Sequence, residues 1–327
     1  MTHAIERSTI AALTADLPTL GDPESPDALL TLLRTLYAVG CRDLPLGRLF
    51  EGHVDALQIV ARYGTLEQRA RAEQAARGGG AFGVWNADQP GDPLRFDGDR
   101  LTGAKAFASG AGILSHAIVS VDAPGGRQLI LLDLAEAPAA IDRGWWRVTG
   151  MQRSETHVVR WQDQPLPSDA LIGAPGDYVR EPWFSGGAIR FAAVQAGGVA
   201  ALADRTRDHL VAQRRDGDPH QRVRLAGLYR AAQSAADAVA RAARLWSADD
   251  MPQTLAHVAA ARVAVYAAGE EALTLAQAAA GVQAMFVDHP LAAMLSDLAV
   301  YLRQPGPDAQ RDRVGAAVAA GLLRPEL

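Results

Sequence analysis

The 327-residue sequence is poor in residues that mark several common protein classes. It has one cysteine, Cys41, and only 6% of its residues are aromatic. A single cysteine excludes an intrachain disulfide and a zinc cluster built on cysteines, so we expect a reducing, cytoplasmic compartment and no metal site. Cys41 itself is open to two interpretations, a buried packing residue or a functional thiol, and the first is the more common in proteins.

Excess positive charge and long apolar runs are also missing. The formal net charge is −5 and the pI is near 5.9, which argues against a nucleic-acid partner. No window approaches about eighteen uninterrupted apolar residues, so we predict no membrane-spanning helix. The first seventeen residues carry Glu6 and Asp16 and lack an apolar core, which is unlike a signal peptide.

The N-terminal quarter has helical periodicity. Apolar residues recur at helical spacing over residues 27–39 and 46–63. Ser25-Pro26 is a start signal for the first helix and Gly40 a stop signal, while Thr65 and Gln68 match a capping box for a third helix. Residues 1–79 are therefore predicted to form a small helical domain.

The rest of the chain divides into a β-rich part and a helical part. Short segments rich in β-branched and aromatic residues, separated by Gly, Pro and Asp, predict an antiparallel sheet or small barrel over residues 80–183. Alanine-rich helical patterns then cover residues 188–213, 222–246, 252–280, 289–303 and 308–323. We predict a four-helix bundle with a tail helix over residues 184–327, and hence an α+β fold.

One corner of the β-rich part is the candidate ligand site. In the run LTGAKAFASG, from Leu101 to Gly110, two short β-type segments meet at a turn of small residues. This places Phe107, Ser109 and the backbone of Gly110 at a tight corner where a flat ligand could lie.

Two motifs resemble those of the flavin-dependent acyl-CoA dehydrogenases. The first consists of Gly103, Lys105, Phe107, Ser109 and Gly110. The second runs from Gly150 to Thr156, continues as a strand through Trp161, and is followed by Pro165-Leu166-Pro167 and Leu171-Ile172-Gly173. The order of helices, β-domain and bundle matches that family's architecture over about residues 30–327, with a shortened N-terminal domain.

The resemblance implies an FAD cofactor and a set of residues that contact it. Phe107 would pack near the flavin ring, Ser109 would hydrogen-bond near its N5 atom, and Arg214 would reach the pyrophosphate across a dimer. Trp85 and Asn86 would line the pyrimidine side, although their segment lacks the family's usual threonine-glutamate pair. Ser154 and Thr156 would lie beside the cofactor or the partner subunit. Each of these residues also has a plain structural interpretation, as a turn, packing or helix-end residue.

The family's catalytic carboxylate has no counterpart. The glutamate that usually follows the last bundle helix falls on Pro305, and the alternative position at the start of the first bundle helix falls on Gly187. The first candidate replacements are His289 and Asp308, and the second are Asp288 and Glu181. Histidine is a common proton acceptor in enzymes, but a histidine or aspartate at a helix start is commonly structural.

Three functions are consistent with these residues. The first is an FAD-dependent oxidoreductase that oxidises an acyl thioester or a related small substrate with an unconventional base. The second is a flavin monooxygenase, which needs no such base, and the third is a non-catalytic homologue that serves as a partner or scaffold subunit. Alanine-rich bundle faces also predict self-association as a homodimer or homotetramer.

Overall fold

The computed structural model describes residues 4–304 and 306–325. Ten α-helices are described: α1 Arg7–Ala15, α2 Pro26–Arg42, α3 Leu44–Tyr63, α4 Leu66–Arg77, α5 Trp183–Gly186, α6 Ala188–Ala212, α7 Pro219–Arg244, α8 Met251–Ala280, α9 Pro290–Tyr301 and α10 Pro307–Ala319. Eight strands are described: β1 Phe82–Trp85, β2 Arg95–Phe96, β3 Arg100–Ala108, β4 His116–Ala123, β5 Gly126–Asp133, β6 Ala140–Asp142, β7 His157–Pro165 and β8 Leu171–Ile172.

The chain forms two compact units. The first comprises residues 1–23, 48–147 and 152–180, and the second comprises residues 24–47, 148–151 and 181–327. The first unit therefore combines α1, most of α3, α4 and all the strands. The second combines α2 with the C-terminal helices. The division into domains at residues 1–79, 80–183 and 184–327 stays a sequence-based prediction.

The core of the first unit lies between two helices and a sheet. Buried apolar side chains of α3 and α4 pack on those of β1, β4, β5 and β8, and the residues are Ala56, Leu57, Ile59, Val60, Ala72, Ala76, Phe82, Ile118, Leu129 and Ile172. The strand order in this sheet is β1-β4-β5-β8. The β1–β4 pair is parallel, unlike the antiparallel pairing predicted for the whole β-rich part, because these two strands are not consecutive and the chain crosses over through β2 and β3.

A second sheet, in the order β2-β3-β7-β6, is antiparallel throughout. The Trp161 ring of β7 is fully buried and lies 6.2 Å from the Trp85 ring of β1, centroid to centroid. Both indole N–H groups donate to backbone carbonyls, which satisfies their only polar atom inside the core. The two tryptophans therefore join the sheets at their buried faces.

Glycines set the spacing of two helices in the second unit. A Cβ atom on Gly40 of α2 would lie 2.2 Å from the carbonyl oxygen of Val194, and one on Gly197 of α6 would lie 2.2 Å from that of Tyr37. The prediction that Gly40 ends its helix is wrong, because α2 continues to Arg42. Gly40 serves instead to let the α6 backbone approach α2 closely.

Most predicted helix ends are confirmed. Ser25 accepts a hydrogen bond from the Ala28 backbone N–H, and the Thr65–Gln68 capping box is formed in both directions.

One described helical stretch, Trp183–Ala212, has the length and composition to cross a membrane, although no uninterrupted apolar run predicted it. Within its most apolar window 78% of the residues are buried inside the protein, as in the core helix of a bundle.

Candidate functional site

The corner predicted from LTGAKAFASG is formed by the end of β3 and the residues after it. The register between β3 and β7 shifts between Lys105 and Ala108, and the bulge holds Phe107 at φ +53°. A positive φ is unusual for a bulky residue and costs about 1–3 kcal/mol. The bulge leaves the Phe107 side chain exposed, with a residue exposure of 48%. The fold therefore keeps a strained, solvent-facing aromatic ring at this corner.

Three buried hydroxyl groups lie beside Phe107. Thr156 Oγ1 donates to Ser109 Oγ at 3.0 Å, and Ser154 Oγ lies 2.8 Å from Thr156 Oγ1. When Thr156 donates to Ser109, the Ser154–Thr156 bond requires Ser154 as its donor. Within residues 4–304 and 306–325, no acceptor is found for the hydroxyl hydrogen of Ser109. The series therefore ends in a hydrogen-bond donor that is free for a ligand.

Backbone contacts fix the position of Ser109. The Trp85 indole N–H donates to the Ser109 carbonyl oxygen at 2.9 Å. The Gly110 N–H donates to the Ser154 carbonyl oxygen at 2.8 Å. Gly110 has φ +78° and its Cβ position would meet Leu114, so glycine suits this turn. The buried Trp85 side chain therefore lies at the corner and holds the Ser109 backbone in place.

Asn86 belongs to a separate polar cluster in the same unit. Its side-chain oxygen accepts from Ser120 Oγ at 2.5 Å and from Arg127 Nη1 at 3.2 Å. Lys105, the only lysine of the chain, is fully buried and donates to Asp88 Oδ1, the Asn86 carbonyl and Ser120 Oγ at 2.6, 3.0 and 3.3 Å. Burial lowers the pKa of Lys105, while the hydrogen bond to Asp88 raises it. The cluster anchors the segment after β1. Lys105 belongs to the first sequence motif, but that motif did not indicate its contacts with Asn86 and Asp88.

A second feature that the sequence interpretation missed is an aromatic cluster of Phe107, Trp145 and Trp146. The Phe107 ring lies edge to face with Trp145 at a centroid distance of 4.8 Å, and Trp145 and Trp146 are nearly parallel at 6.0 Å. Trp145 also packs on small side chains of the second sheet, namely Ala104, Ala106 and Val158. The signal available in the sequence was the tryptophan doublet itself, in a chain with six tryptophans.

The remaining predicted site residues lie in the second unit. Arg214 has φ +55° at the turn after α6, where its N–H donates to the Val211 carbonyl oxygen. Pro305, the counterpart of the family's glutamate, lies outside the described residues. Gly187 is the N-terminal cap residue of α6. The structure therefore groups Trp85, Phe107, Ser109, Ser154 and Thr156 in one unit and Arg214 in the other, and their roles toward a cofactor stay predictions.

Both candidate replacement bases are engaged in local contacts. His289 caps α9: its Nδ1 accepts from the Leu291 N–H at 3.2 Å, and its Nε2 lies 3.2 Å from His209 Nδ1. Burial, followed by the charge of His289, lowers the pKa of His209. Asp308 is the second residue of α10, with a 92% exposed side chain that accepts from Arg311 at 2.7 Å.

The two further candidate bases, Glu181 and Asp288, also lie close to helix starts. Glu181 accepts hydrogen bonds from both the backbone N–H and the hydroxyl of Ser185 in α5. Asp288 lies exposed in the turn before α9. None of the four candidates, His289, Asp308, Glu181 and Asp288, belongs to the unit that contains Ser109.

Comparison with known proteins identifies the fold. No protein-family model matches the sequence, and no curated protein matches it. Solved structures do match. FMN-bound TdsC from Paenibacillus sp. A11-2, a dibenzothiophene monooxygenase, superposes with a TM-score of 0.76 at 18% identity, covering 96% of each chain.

Two further solved structures show the same architecture. Nitrososynthase from Micromonospora carbonacea var. africana has a TM-score of 0.76 at 20% identity. The match covers 96% of this chain and 87% of the nitrososynthase chain. Butyryl-CoA dehydrogenase from Megasphaera elsdenii has a TM-score of 0.74 at 15% identity, covering 98% of this chain and all of its own. The protein has the acyl-CoA dehydrogenase fold, which confirms the α+β architecture predicted from the order of helical and β-rich segments.

Proposed function

We propose that the protein is a flavin-dependent oxidoreductase whose cofactor ring lies at the corner formed by Phe107 and Ser109. The observation that carries this proposal is the buried hydroxyl series that ends in the free Ser109 hydrogen, next to the exposed Phe107 ring. A flavin ring has flat apolar faces and a polar edge. The Phe107 ring is a partner for a face, and the Ser109 hydroxyl is a partner for the edge. A bound flavin would supply hydride or electron transfer.

The roles of the residues follow from these contacts. Phe107 would pack on the ring, and Ser109 would donate to a ring nitrogen or oxygen. Thr156 and Ser154 would fix the direction of the Ser109 hydroxyl, because each hydroxyl in the series accepts from the one before it. FAD is the form that we assign from the resemblance of Arg214 to the family's pyrophosphate ligand. The FMN-bound TdsC structure makes FMN the alternative.

Two reactions compete within this proposal. Oxidation of an acyl thioester needs a base at the α-carbon, and the matching butyryl-CoA dehydrogenase structure supports it. His289, Asp308 and Glu181 are already engaged at helix starts, which favours a monooxygenase reaction that needs no such base. We therefore place oxygenation of a small substrate first, acyl-thioester oxidation second and a non-catalytic scaffold third.

The test begins with the visible absorption spectrum of the purified protein, before and after incubation with excess FAD or FMN and desalting. Retained flavin supports the proposal, and the two titrations identify the form. Ser109→Ala removes one hydrogen bond, so flavin binding is expected to weaken about ten-fold. Ser234→Ala, at an exposed position on α7, is the matched control. A protein that binds neither flavin refutes the proposal and leaves the scaffold function.

A second stage separates the two reactions. Anaerobic bleaching of the bound flavin by a panel of acyl-CoA thioesters would identify the dehydrogenase. A flavin that no thioester reduces, but that reacts with oxygen after chemical reduction and oxygenates an added substrate, would identify the monooxygenase.

We also propose a cytoplasmic homodimer or homotetramer. The single cysteine supports the reducing compartment. Self-association is supported by three apolar side chains near the start of α9, Val282, Phe286 and Val287, which are exposed in the single chain. Analytical ultracentrifugation tests the oligomeric state, and a monomer at micromolar concentration would contradict it.

A further inference from the structure

We propose that a cavity in the helical second unit binds a small amphipathic anion, which has an unbranched aliphatic chain and one carboxylate or phosphate head. The cavity lies between α7, α8 and the segment that follows α10, and its volume is about 330 Å³. Pockets that bind small molecules begin at roughly 300 Å³. All the lining residues belong to the second unit, so the proposal is independent of a flavin at the Ser109 corner.

The floor of the cavity is apolar and consists of short side chains from two helices. Because an alanine side chain ends at Cβ, it leaves space that a larger side chain would fill. No Phe, Tyr or Trp is among the described lining residues, so the floor offers no such ring for stacking and suits a hydrocarbon chain. The alanines of the floor are Ala238 and Ala242 of α7 and Ala260, Ala261 and Ala264 of α8.

The end of α10 supplies the third wall. Gly321, at φ +73°, follows this helix in a Schellman motif, in which its N–H donates to the Val318 carbonyl oxygen and the Leu322 N–H donates to that of Ala317. The motif turns the chain away from the helix axis. Val318 of α10 and Leu323 beyond the turn both line the cavity, and their larger side chains complete its apolar surface.

The polar groups of the cavity include two cations. Arg241 of α7 and Arg324 beyond the turn line it together with His257, and no aspartate or glutamate is among the described lining residues. Within residues 4–304 and 306–325, the Arg324 side chain has no hydrogen-bond or ion-pair partner. A guanidinium group binds a carboxylate or a phosphate through parallel N–H donors. Two such groups beside an apolar floor therefore match an aliphatic chain with a single anionic head.

The experiment measures the binding of hexanoate, octanoate and octyl phosphate to the full-length protein by isothermal titration calorimetry, with octan-1-ol as the neutral probe. Each buried methylene is expected to raise the affinity about four-fold, so octanoate should bind about ten-fold more tightly than hexanoate. Octan-1-ol lacks the charge and should bind at least about five-fold more weakly than octanoate. The tighter of octanoate and octyl phosphate identifies the head group.

Two variants with matched controls test the lining. Ala264→Leu fills the cavity and should weaken octanoate binding at least about ten-fold, whereas Ala267→Leu, at an exposed position of the same helix, should leave it unchanged. Arg324→Gln should reduce the preference for octanoate over octan-1-ol, and Arg205→Gln, at an exposed position of α6, should not. Circular dichroism checks folding, and Ala238→Leu replaces Ala264→Leu if the latter does not fold.

Three results would overturn the inference. The first is equal affinity for octanoate and octan-1-ol, and the second is octanoate binding that neither Ala264→Leu nor Arg324→Gln weakens. The third is octanoate binding only after removal of Glu326 and Leu327, because the end of the chain would then be the occupant. Since no arm of the experiment uses a flavin, failure here leaves the proposed function intact.

Discussion

Acidification is expected to destabilise this protein through His53, a fully buried histidine of α3. The Phe82 backbone N–H donates to His53 Nδ1 at 3.0 Å, so the ring hydrogen must lie on Nε2. Nε2 in turn lies 3.0 Å from Thr14 Oγ1, whose own hydrogen is donated to the Ile10 carbonyl. Both nitrogens are thus satisfied only in the neutral imidazole. A second proton, on Nδ1, would face the Phe82 N–H.

The size and direction of the effect follow from the pKa. Burial lowers the pKa of His53 from 6.5 to about 4. The unfolded chain therefore binds a proton near pH 6.5, whereas the folded protein does so only near pH 4. Stability is fully present above pH 6.5 and falls as the pH drops through this window. The loss amounts to about 3 kcal/mol, with a slope of at most about 1.4 kcal/mol per pH unit.

Urea unfolding between pH 7.5 and pH 4.5 measures this loss. His53→Gln keeps polar atoms but does not titrate, so its stability curve should be flatter than that of the wild type by about 3 kcal/mol at the acid end. Burial also lowers the pKa of His116, which acts in the same direction in both proteins and cancels in the comparison. Parallel curves for the two proteins would show that the His53 ring is not held neutral by burial.

Two further predictions concern single residues in the two units. Gly40→Ala should destabilise the second unit by at least about 2 kcal/mol, because its Cβ would lie 2.2 Å from the Val194 carbonyl oxygen. Gly315→Ala in α10, where no atom lies within 4 Å of the new Cβ, should instead stabilise by about 0.5–1 kcal/mol. Thermal unfolding measures both, and equal shifts would contradict the helix crossing. Lys105→Met should destabilise the first unit by roughly 1.5–3 kcal/mol, because it removes the buried hydrogen bonds to Asp88, Asn86 and Ser120 while Asp88 keeps its contact with Arg127. Amine labelling followed by mass spectrometry gives an independent check: in the native wild type the reagent should spare Lys105, and rapid labelling of Lys105 would refute its burial.

Local signals in the sequence predicted much of the fold. The capping box at Thr65 and the start signal at Ser25 depend only on residues within one helical turn, and both are formed. The helix α1 was not predicted, because it is nine residues long and Thr14 contacts His53 from a distant part of the chain. Gly40 was misinterpreted for the same reason, since only the approach of α6 explains a glycine inside a helix.

The candidate site was predicted only in part. Phe107 is the penultimate residue of β3 and Ser109 follows directly after the strand, so both lie at the corner formed by the end of β3. The hydrogen bond from Trp85 to the Ser109 carbonyl and the Asn86 cluster depend on strand pairing, which a single sequence does not specify. Trp145 follows a three-residue strand in a segment without periodicity, so its contact with Phe107 could not be inferred from spacing.

The packing of α2 against α6 has a consequence for biosynthesis. About 145 residues separate the end of α2 from the start of α6, and a ribosome needs roughly 7–30 s to translate them. During that interval the leucine-rich face of α2, with Leu29, Leu33 and Leu36, has been made but its partner helix has not. The nascent chain therefore carries an apolar helix early in synthesis, and we expect chaperones to bind there until the C-terminal helices leave the ribosome.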